Sequence, residues 1–310
     1  MTLTELKYIV AVAREKHFGR AAEACFVSQP TLSVAIKKLE EELDVKIFER
    51  GASEVSATPL GEQIVRQAQQ VIEQAQAIRE IAKLGKDPVS GPLRLGVIYT
   101  IGPYLLPELV RQAIESVPQM QLMLQENFSA KLLDMLRTGE LDCAIMAEPF
   151  PDTGLAVAPL YDEPFVAAVP AGHPFAKRKH ITAEELKNET MLLLGTGHCF
   201  RDHVLEVCPE YARFASNAEG IRKSFEGSSL ETIKYMVASG MGVTVVPQLS
   251  VPAQGQAMQP HIRYVKFSTP APTRRVVLTW RRSFPRYEAI AALRNAVYAC
   301  KLPGVKRLTA

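Results

Sequence analysis

The segment from residue 18 to residue 43 constrains the fold of this 310-residue chain more strongly than any other. The small side chain of Ala21 allows a second helix to cross closely, Ser28 is a favourable helix N-cap, and Pro30 falls in the following helical turn. At that position the missing N–H of proline removes no helical hydrogen bond. The pattern predicts a helix-turn-helix whose second helix starts at Gln29.

The first turns of this second helix are candidates for DNA contact, because in a helix-turn-helix that end enters the major groove. Gln29 can pair bidentately with adenine, and Thr31 and Ser33 can contact bases or phosphates. The same side chains would also suit an ordinary solvated helix face. Residues 1–38 contain six Lys or Arg against three Glu, whereas the net charge of +3 for the whole chain is weak support for nucleic-acid binding.

A long helix is predicted over residues 59–86, after a hairpin wing over residues 46–58 with its turn at Gly51. Apolar residues recur in this helix at spacings of four and three, the seam of a coiled coil: Ile64, Ala68, Val71, Ala75, Ile78 and Ala82. A lone helix would leave this seam in water, so we expect a homodimer formed through it. Packing against the chain's own N-terminal domain is the alternative, and the turn-forming residues at 87–92 favour the dimer.

Strands and helices alternate from residue 93 onward, and this rhythm predicts a mostly parallel sheet. Separate strands are expected at 155–161 and 165–170, and Ser228-x-x-Glu231 is expected to be a capping box opening a helix at residue 228. Two α/β lobes with a cleft between them follow from this order. The closing strand and helix are expected to return to the first lobe.

These elements define the expected domains of an α/β protein. A winged helix-turn-helix domain spans 1–58, a dimerising linker helix spans 59–87, and a two-lobed domain of periplasmic-binding-protein-like architecture spans 88–310. The first lobe is expected to comprise 88–161 and 269–310, and the second lobe 162–268.

The composition predicts a globular protein of the cytoplasm. Hydrophobic residues make up 47 % of the chain, and the mean hydropathy is +0.00. No apolar run approaches the roughly 20 residues that span a bilayer, and the charged start does not resemble a targeting signal. We therefore expect no membrane contact and a reducing compartment, where structural disulfides are rare. The five cysteines are an odd number, so a monomer keeps at least one thiol unpaired.

Cys199 is the leading candidate for a reactive group. It follows a short glycine-containing turn and precedes helical residues, which places its sulfur at a helix N-terminus, where backbone N–H groups favour a thiolate. His198 and Arg201 add donor or positive groups nearby, and Asp202 is a candidate to balance Arg201. Peroxide oxidises such a thiolate to a sulfenic acid, and Cys208 is the candidate thiol to resolve it.

The spacing of these two cysteines has a mechanical consequence. If residues 199–208 were continuously helical, the two Cα atoms would lie roughly 13 Å apart at about 1.5 Å per residue. A disulfide requires about 4.4–6.8 Å between Cα atoms. Closing the bridge would therefore remodel this segment and whatever packs on it.

The order of parts resembles the LysR-type transcriptional regulators. The resemblance rests first on the helix-turn-helix segment FGRAAEACFVSQPTLSVAIKKLEEELDVKIFER and on two α/β lobes behind a linker helix. Three further segments are similar to the hydrogen-peroxide-responsive branch of the family: GPYLLP, GHCFRDHVLEVCPE and SSLETIKYMVASGMGVTVVP. The resemblance extends from residue 1 to about residue 294.

The resemblance implies a role for particular residues. It places DNA contacts on the second helix and the wing, at Gln29, Pro30, Thr31, Ser33, Lys37 and Arg50. It implies that Cys199 senses peroxide and pairs with Cys208, and that hydroxyls at the mouth of the cleft orient the peroxide. Thr100 matches that pattern, whereas Ser129 stands where relatives usually carry Thr, so the hydroxyl is kept and the methyl group is lost.

The resemblance also implies partners. They are a double-stranded DNA operator, hydrogen peroxide, RNA polymerase, and further copies of the chain in a homodimer or homotetramer. No cofactor and no metal is expected, and the protein is not expected to be an enzyme.

Three alternatives remain at the level of the sequence. His198, Cys199, His203 and Cys208 form a ligand set for tetrahedral zinc, although their spacing is not that of common zinc modules. A Cys–His pair at a helix start is also compatible with a hydrolase or a peroxidase. The third alternative is a regulator that binds a small metabolite between its lobes.

The other cysteines are interpreted as structural. Cys143 lies in an apolar strand, Cys25 lies within the helix-turn-helix, and Cys300 is expected near a fraying terminus.

Overall fold

The computed structural model describes residues 1–50, 55–83, 89–151, 154–209, 224–227, 229–252 and 261–308. The chain divides into two compact units. The N-terminal unit is Met1–Lys86 with Arg137–Gly139, and the C-terminal unit is Asp87–Leu136 with Glu140–Ala310.

The N-terminal unit is built on three helices: α1 (Leu3–Glu15), α2 (Phe18–Ala24) and α3 (Gln29–Leu43). Helix α3 begins at the predicted residue, and the Ser28 hydroxyl accepts a hydrogen bond from the Thr31 backbone N–H at 3.3 Å. The apolar faces of the helices meet in one core, whose fully buried side chains include Ile9, Val12, Ala21, Leu32 and Leu39. The predicted helix-turn-helix is confirmed.

The wing is a two-stranded antiparallel hairpin of β1 (Phe48–Arg50) and β2 (Val55–Ala57). Its predicted turn at Gly51 lies outside the described residues.

Helix α4 (Pro59–Lys83) follows the wing, and the predicted extension to residue 86 lies outside the described residues. Its first half packs against α1, with Ala68 buried and Ile64 partly buried in the core of the N-terminal unit. Val71 is 37 % exposed and Ile78 is 68 % exposed. The predicted seam therefore has two parts. Ile64 and Ala68 pack on the chain's own helices, whereas Val71 and Ile78 are exposed apolar residues available to a partner helix.

The C-terminal unit opens with three parallel strands, β3 (Gly91–Ile98), β4 (Met120–Asn127) and β5 (Cys143–Ala147), with β3 in the middle. Helices α5 (Gly102–Ser116) and α6 (Ser129–Thr138) connect them. Residues 91 and 92, predicted to belong to the linker, are the first residues of β3.

The prediction of two strands at 155–161 and 165–170 is wrong, because they form one long strand, β6 (Ala156–Pro170). Its first half pairs with β12 (Thr273–Trp280), and its second half pairs with β10 (Thr244–Pro247) and β11 (Ile262–Phe267), all antiparallel. The sheet is therefore mixed rather than mostly parallel. Within β6, the charged residue Glu163 is paired with Arg274 on the neighbouring strand.

The remaining elements lie around the second half of β6. They are β7 (His180–Ile181), β8 (Met191–Leu194), α7 (Cys199–Val207), β9 (Ser224–Gly227) and α8 (Leu230–Ala238). A 3-10 turn, Glu184–Asn188, lies between β7 and β8.

Ser228, the first residue of the predicted capping box, lies outside the described residues. The N-cap of α8 is Ser229, whose hydroxyl accepts from the Thr232 backbone N–H at 3.1 Å. The Glu231 carboxylate instead binds the Tyr104 hydroxyl at 2.7 Å and the Lys234 ammonium at 2.6 Å. A tertiary partner therefore competes for the side chain that the local motif assigned to the cap.

Two separate hydrophobic cores define two lobes in this unit. The first lobe packs around β3 and β5 and includes α9 (Tyr287–Ala299), which contacts α5. The second lobe packs around β8, β10 and α7. A short last strand, β13 (Lys306–Arg307), pairs with β6. Cys300, expected near a fraying terminus, is fully buried in the first core.

None of the helices in the described part of the chain is long and apolar enough to cross a membrane.

Candidate functional site

Cys199 is the first residue of α7, as the sequence predicts. Its thiol is free and partly exposed, and its side chain packs on the core of the first lobe. The next residue, Phe200, is buried in the core of the second lobe. The start of α7 therefore lies where the two lobes meet.

Burial raises the pKa of the Cys199 thiol above its ordinary value of 9.0. A hydrogen bond from Ser129, the positive charge of Arg274 and the backbone N–H of Cys199 act in the opposite direction, and the charge of Asp202 adds to the increase. The predicted stabilisation of a thiolate at the helix start is thus outweighed by desolvation. At neutral pH the resting sulfur is mainly a protonated thiol.

This direction of shift predicts how the rate of peroxide oxidation depends on pH. Only the thiolate attacks peroxide, and its fraction grows about tenfold per pH unit below the pKa. We expect the rate at which hydrogen peroxide consumes the Cys199 thiol to rise continuously from about pH 7 to about pH 9. Stopped-flow measurement on the reduced full chain, with a Cys199→Ser blank, checks this. A rate that is flat over this range would contradict the raised pKa.

Two hydroxyl groups of the first lobe lie at this end of α7. The Ser129 oxygen is buried beside Cys199 and has no nitrogen or oxygen partner among the described residues. The buried Thr100 hydroxyl accepts a hydrogen bond from Arg274 Nη1 at 2.7 Å, and the Thr100 carbonyl accepts from Nη2 at 2.9 Å. The Ser129 hydroxyl therefore lies against the Cys199 sulfur, whereas Thr100 is held in place by Arg274.

Arg274 is the residue of this site that the sequence reasoning missed. It forms a buried ion pair with Glu163 Oε2 at 2.8–2.9 Å, and its guanidinium lies 5.1 Å from the centre of the Phe200 ring. Glu163 also accepts from the Leu249 backbone N–H at 2.8 Å. The signal in the sequence was a pair of adjacent charges of one sign in each of two otherwise apolar strands, Asp162 and Glu163 in β6 and Arg274 and Arg275 in β12.

His198 and Arg201 occupy different surroundings. The His198 ring is buried, with its centre 4.8 Å from the Phe128 ring and 5.9 Å from the Tyr99 ring. The Arg201 guanidinium is buried and donates to the Leu194 carbonyl at 2.9 Å. The cation whose charge lowers the pKa of Cys199 is Arg274. The roles assigned to His198 and Arg201, and that of the exposed Asp202, stay predictions.

Gly197 explains how the chain reaches this position. Its φ of +96° lies in the left-handed region, and an added Cβ would come within 3.3 Å of the Phe128 ring. A glycine therefore allows the turn before α7 to approach the aromatic side chains of the first lobe.

Cys208 caps the other end of α7. It is buried in the second core, it is not part of a disulfide, and its backbone N–H donates to the Val204 carbonyl at 2.9 Å. The segment between the cysteines is continuous helix. At about 1.5 Å per residue their Cα atoms are separated by about 13 Å, which exceeds the span of a disulfide.

His203 lies on α7 between the two cysteines. Its Nε2 hydrogen-bonds the Glu148 carbonyl at 2.8 Å, and burial lowers the pKa of the imidazole. Zinc binding would need both imidazoles beside the thiols, but His198 makes edge contacts with aromatic rings and His203 bonds a backbone carbonyl. Across the described residues, no three His, Cys, Asp or Glu side chains are grouped as a metal site.

A cavity of about 500 Å³ lies against the second half of α7, with His203 and Val207 in its wall. Neither Cys199 nor Ser129 lines it.

The candidate DNA contacts form a continuous stretch at the start of α3. Gln29, Pro30 and Thr31 are exposed and Ser33 is partly exposed. Lys37 is exposed one turn further along and pairs with Glu41 at 3.6 Å. Arg50 is the last residue of β1, and its side chain lies outside the described part of the structure.

Comparison with known proteins assigns the class. Residues 3–62 match the bacterial regulatory helix-turn-helix of the lysR family, and residues 86–299 match the LysR substrate binding domain. The chain belongs to the LysR family of bacterial transcription regulators.

Within that family its relatives are OxyR proteins. A "Hydrogen peroxide-inducible genes activator" of Pectobacterium carotovorum is 38 % identical over 294 residues, which cover 94 % of this chain and 95 % of the relative. A full-length OxyR variant from Pseudomonas aeruginosa is 50 % identical with a TM-score of 0.71, covering 100 % of this chain and 99 % of the other. An H2O2-bound OxyR mutant from Corynebacterium glutamicum is 32 % identical with a TM-score of 0.62, covering 96 % and 91 %.

Proposed function

We propose that this chain is a transcription regulator that binds operator DNA through α3 and responds to hydrogen peroxide through Cys199. The observation that carries the proposal is the placement of Cys199 and Cys208 at the two ends of one helix, with the buried Ser129 hydroxyl beside the first of them. The names of the relatives support the same stimulus.

The chemistry needs only peroxide and the two thiols. The Cys199 thiolate attacks one peroxide oxygen, the O–O bond breaks, and the departing oxygen leaves as water after taking up a proton. The Cys208 thiolate attacks the sulfur of the resulting sulfenic acid, an S–S bond forms as the S–O bond breaks, and the departing hydroxide takes up a proton and leaves as a second water. Ser129 and Thr100 are proposed to position the peroxide for the first step.

The second step changes the fold, because the disulfide cannot span an intact α7. Unwinding this helix takes Phe200 away from Arg274 and His203 away from the Glu148 carbonyl, contacts that hold α7 in the reduced protein. The regulatory signal is therefore a rearrangement at the junction of the two lobes.

Assembly and partners extend the proposal. The exposed continuation of the α4 seam, Val71 and Ile78, is proposed as a dimer contact in a homodimer or homotetramer that recruits RNA polymerase. The protein would work in the cytoplasm. Each molecule would consume one hydrogen peroxide and would then need its disulfide reduced before reacting again. A peroxidase would instead turn over repeatedly when supplied with reductant.

Mass spectrometry of the reduced full chain, before and after sub-stoichiometric hydrogen peroxide, tests the proposal beside a DNA footprint. We expect a peptide pair joined through Cys199 and Cys208, together with an altered footprint. A bridge between another pair of cysteines, or an unchanged footprint, would overturn it. A metabolite that shifts the footprint without thiol oxidation would favour the metabolite-responsive alternative.

A further inference from the structure

Phe26, in the turn between α2 and α3, combines two unfavourable features. Its backbone φ is +56°, in the left-handed region, and its side chain is 97 % exposed. A bulky residue at positive φ is a conformational outlier. A phenyl ring that stays in water contributes no hydrophobic stabilisation, because that stabilisation comes from burial. Neither feature helps the N-terminal unit to fold.

The local hydrogen bonds show which residue the backbone prefers there. The Phe26 N–H donates to the Glu23 carbonyl and the Val27 N–H donates to the Ala22 carbonyl, both at 3.0 Å. This is the Schellman arrangement that ends a helix, in which the left-handed position is usually Gly or Asn. Among the described residues, the two other non-glycine residues with positive φ are Lys16 and Asp44, both charged.

The position of Phe26 next to α3 indicates a role for its ring. Phe26 lies two residues before Ser28, the N-cap of α3, and three before Gln29. When the first turn of α3 lies in the major groove, the turn that precedes it, which contains Phe26, lies beside the same groove. The apolar group available on a base edge there is the thymine methyl, which aromatic side chains contact.

We propose that Phe26 is a specificity-determining residue that packs its ring on a thymine methyl group in the major groove. The ring is solvated in the free protein and is covered in the complex. This proposal rests on the DNA-binding part of the proposed function and is independent of the peroxide response.

The test uses the reduced full chain and a duplex selected by it from a random library. Phe26→Asn is expected to raise the Tm of the N-terminal unit by about 4 °C, because the strain is relieved, and to weaken binding to the selected duplex by about tenfold. Phe26→Tyr keeps the ring and is expected to retain most of the affinity. Asp44→Gly, at the far end of α3, is the matched control: it relieves the same backbone strain and is expected to leave the affinity unchanged.

Uracil substitution identifies the base. Replacing the contacted thymine by uracil deletes one methyl group, and is expected to weaken the wild type several-fold without affecting Phe26→Asn. Equal affinity of Phe26→Asn and the wild type would overturn the inference, as would a loss that no single thymine methyl explains. Unchanged DNA affinity with lost transcription would assign the ring to a protein partner and would also overturn it. Failure of the wild type to select any duplex would instead overturn DNA binding itself.

Discussion

Cells that carry the Cys199→Ser protein are expected to show no peroxide-dependent transcription, although the protein folds and binds DNA in its reduced form. Serine fits the first position of α7, because its hydroxyl is isosteric with the thiol and suits a helix start. An alcohol does not form a sulfenic acid or a disulfide, so the rearrangement of α7 has no trigger. The induced level is expected to fall to the uninduced level, measured with a reporter and by thiol titration of the purified protein.

Two further variants separate the chemistry from the fold. Cys208→Ser should still consume peroxide at Cys199 and accumulate a sulfenic acid, which dimedone traps, but should form no intramolecular bridge. Cys25→Ser is the matched control, because Cys25 is also a free, partly exposed thiol whose pKa is raised by burial. It should respond like the wild type. Normal induction of Cys199→Ser would assign the signal to another group.

The helices of this protein were predictable because their signals are local. The Ser28 cap, the proline after it and the apolar spacing of α3 lie within a few residues, and the structure reproduces the predicted start. The continuous strand β6 was not predictable from the sequence, because its continuity depends on partners elsewhere in the chain. Glu163 looks like a break in an apolar pattern until Arg274, 111 residues away, is paired with it.

The candidate site was likewise predictable only in part. Cys199 was identified from its neighbours in sequence, since a helix start is a local property. The pKa of its thiol was misjudged because burial depends on both lobes, and the cation that acts on it, Arg274, is distant in sequence from Arg201, the predicted one. Local chemistry predicts the reactive atom, whereas its reactivity is set by tertiary contacts that the pattern does not contain.

Replacing Arg274 is expected to cause the largest loss of stability among the variants considered. Arg274→Met leaves the Glu163 carboxylate buried without its partner, and breaking a buried ion pair on one side destabilises a protein by about 3–5 kcal/mol. Arg275→Met is the matched control, because the neighbouring Arg275 forms a solvent-exposed pair with Asp162, and the loss of such a pair is expected to leave the stability nearly unchanged. The single tryptophan, Trp280 at the end of the same strand, reports the unfolding of the C-terminal unit by fluorescence in urea.

A double substitution distinguishes the structural role of Arg274 from its effect on the thiol. Glu163→Gln with Arg274→Met removes both charges, so most of the lost stability should return. The pKa of Cys199 should remain higher than in the wild type, because the positive charge that lowers it is gone. We expect oxidation by peroxide at neutral pH to be about tenfold slower, the effect of one pKa unit. A refolded double variant that reacts at the wild-type rate would show that Arg274 holds the two lobes together without activating the sulfur.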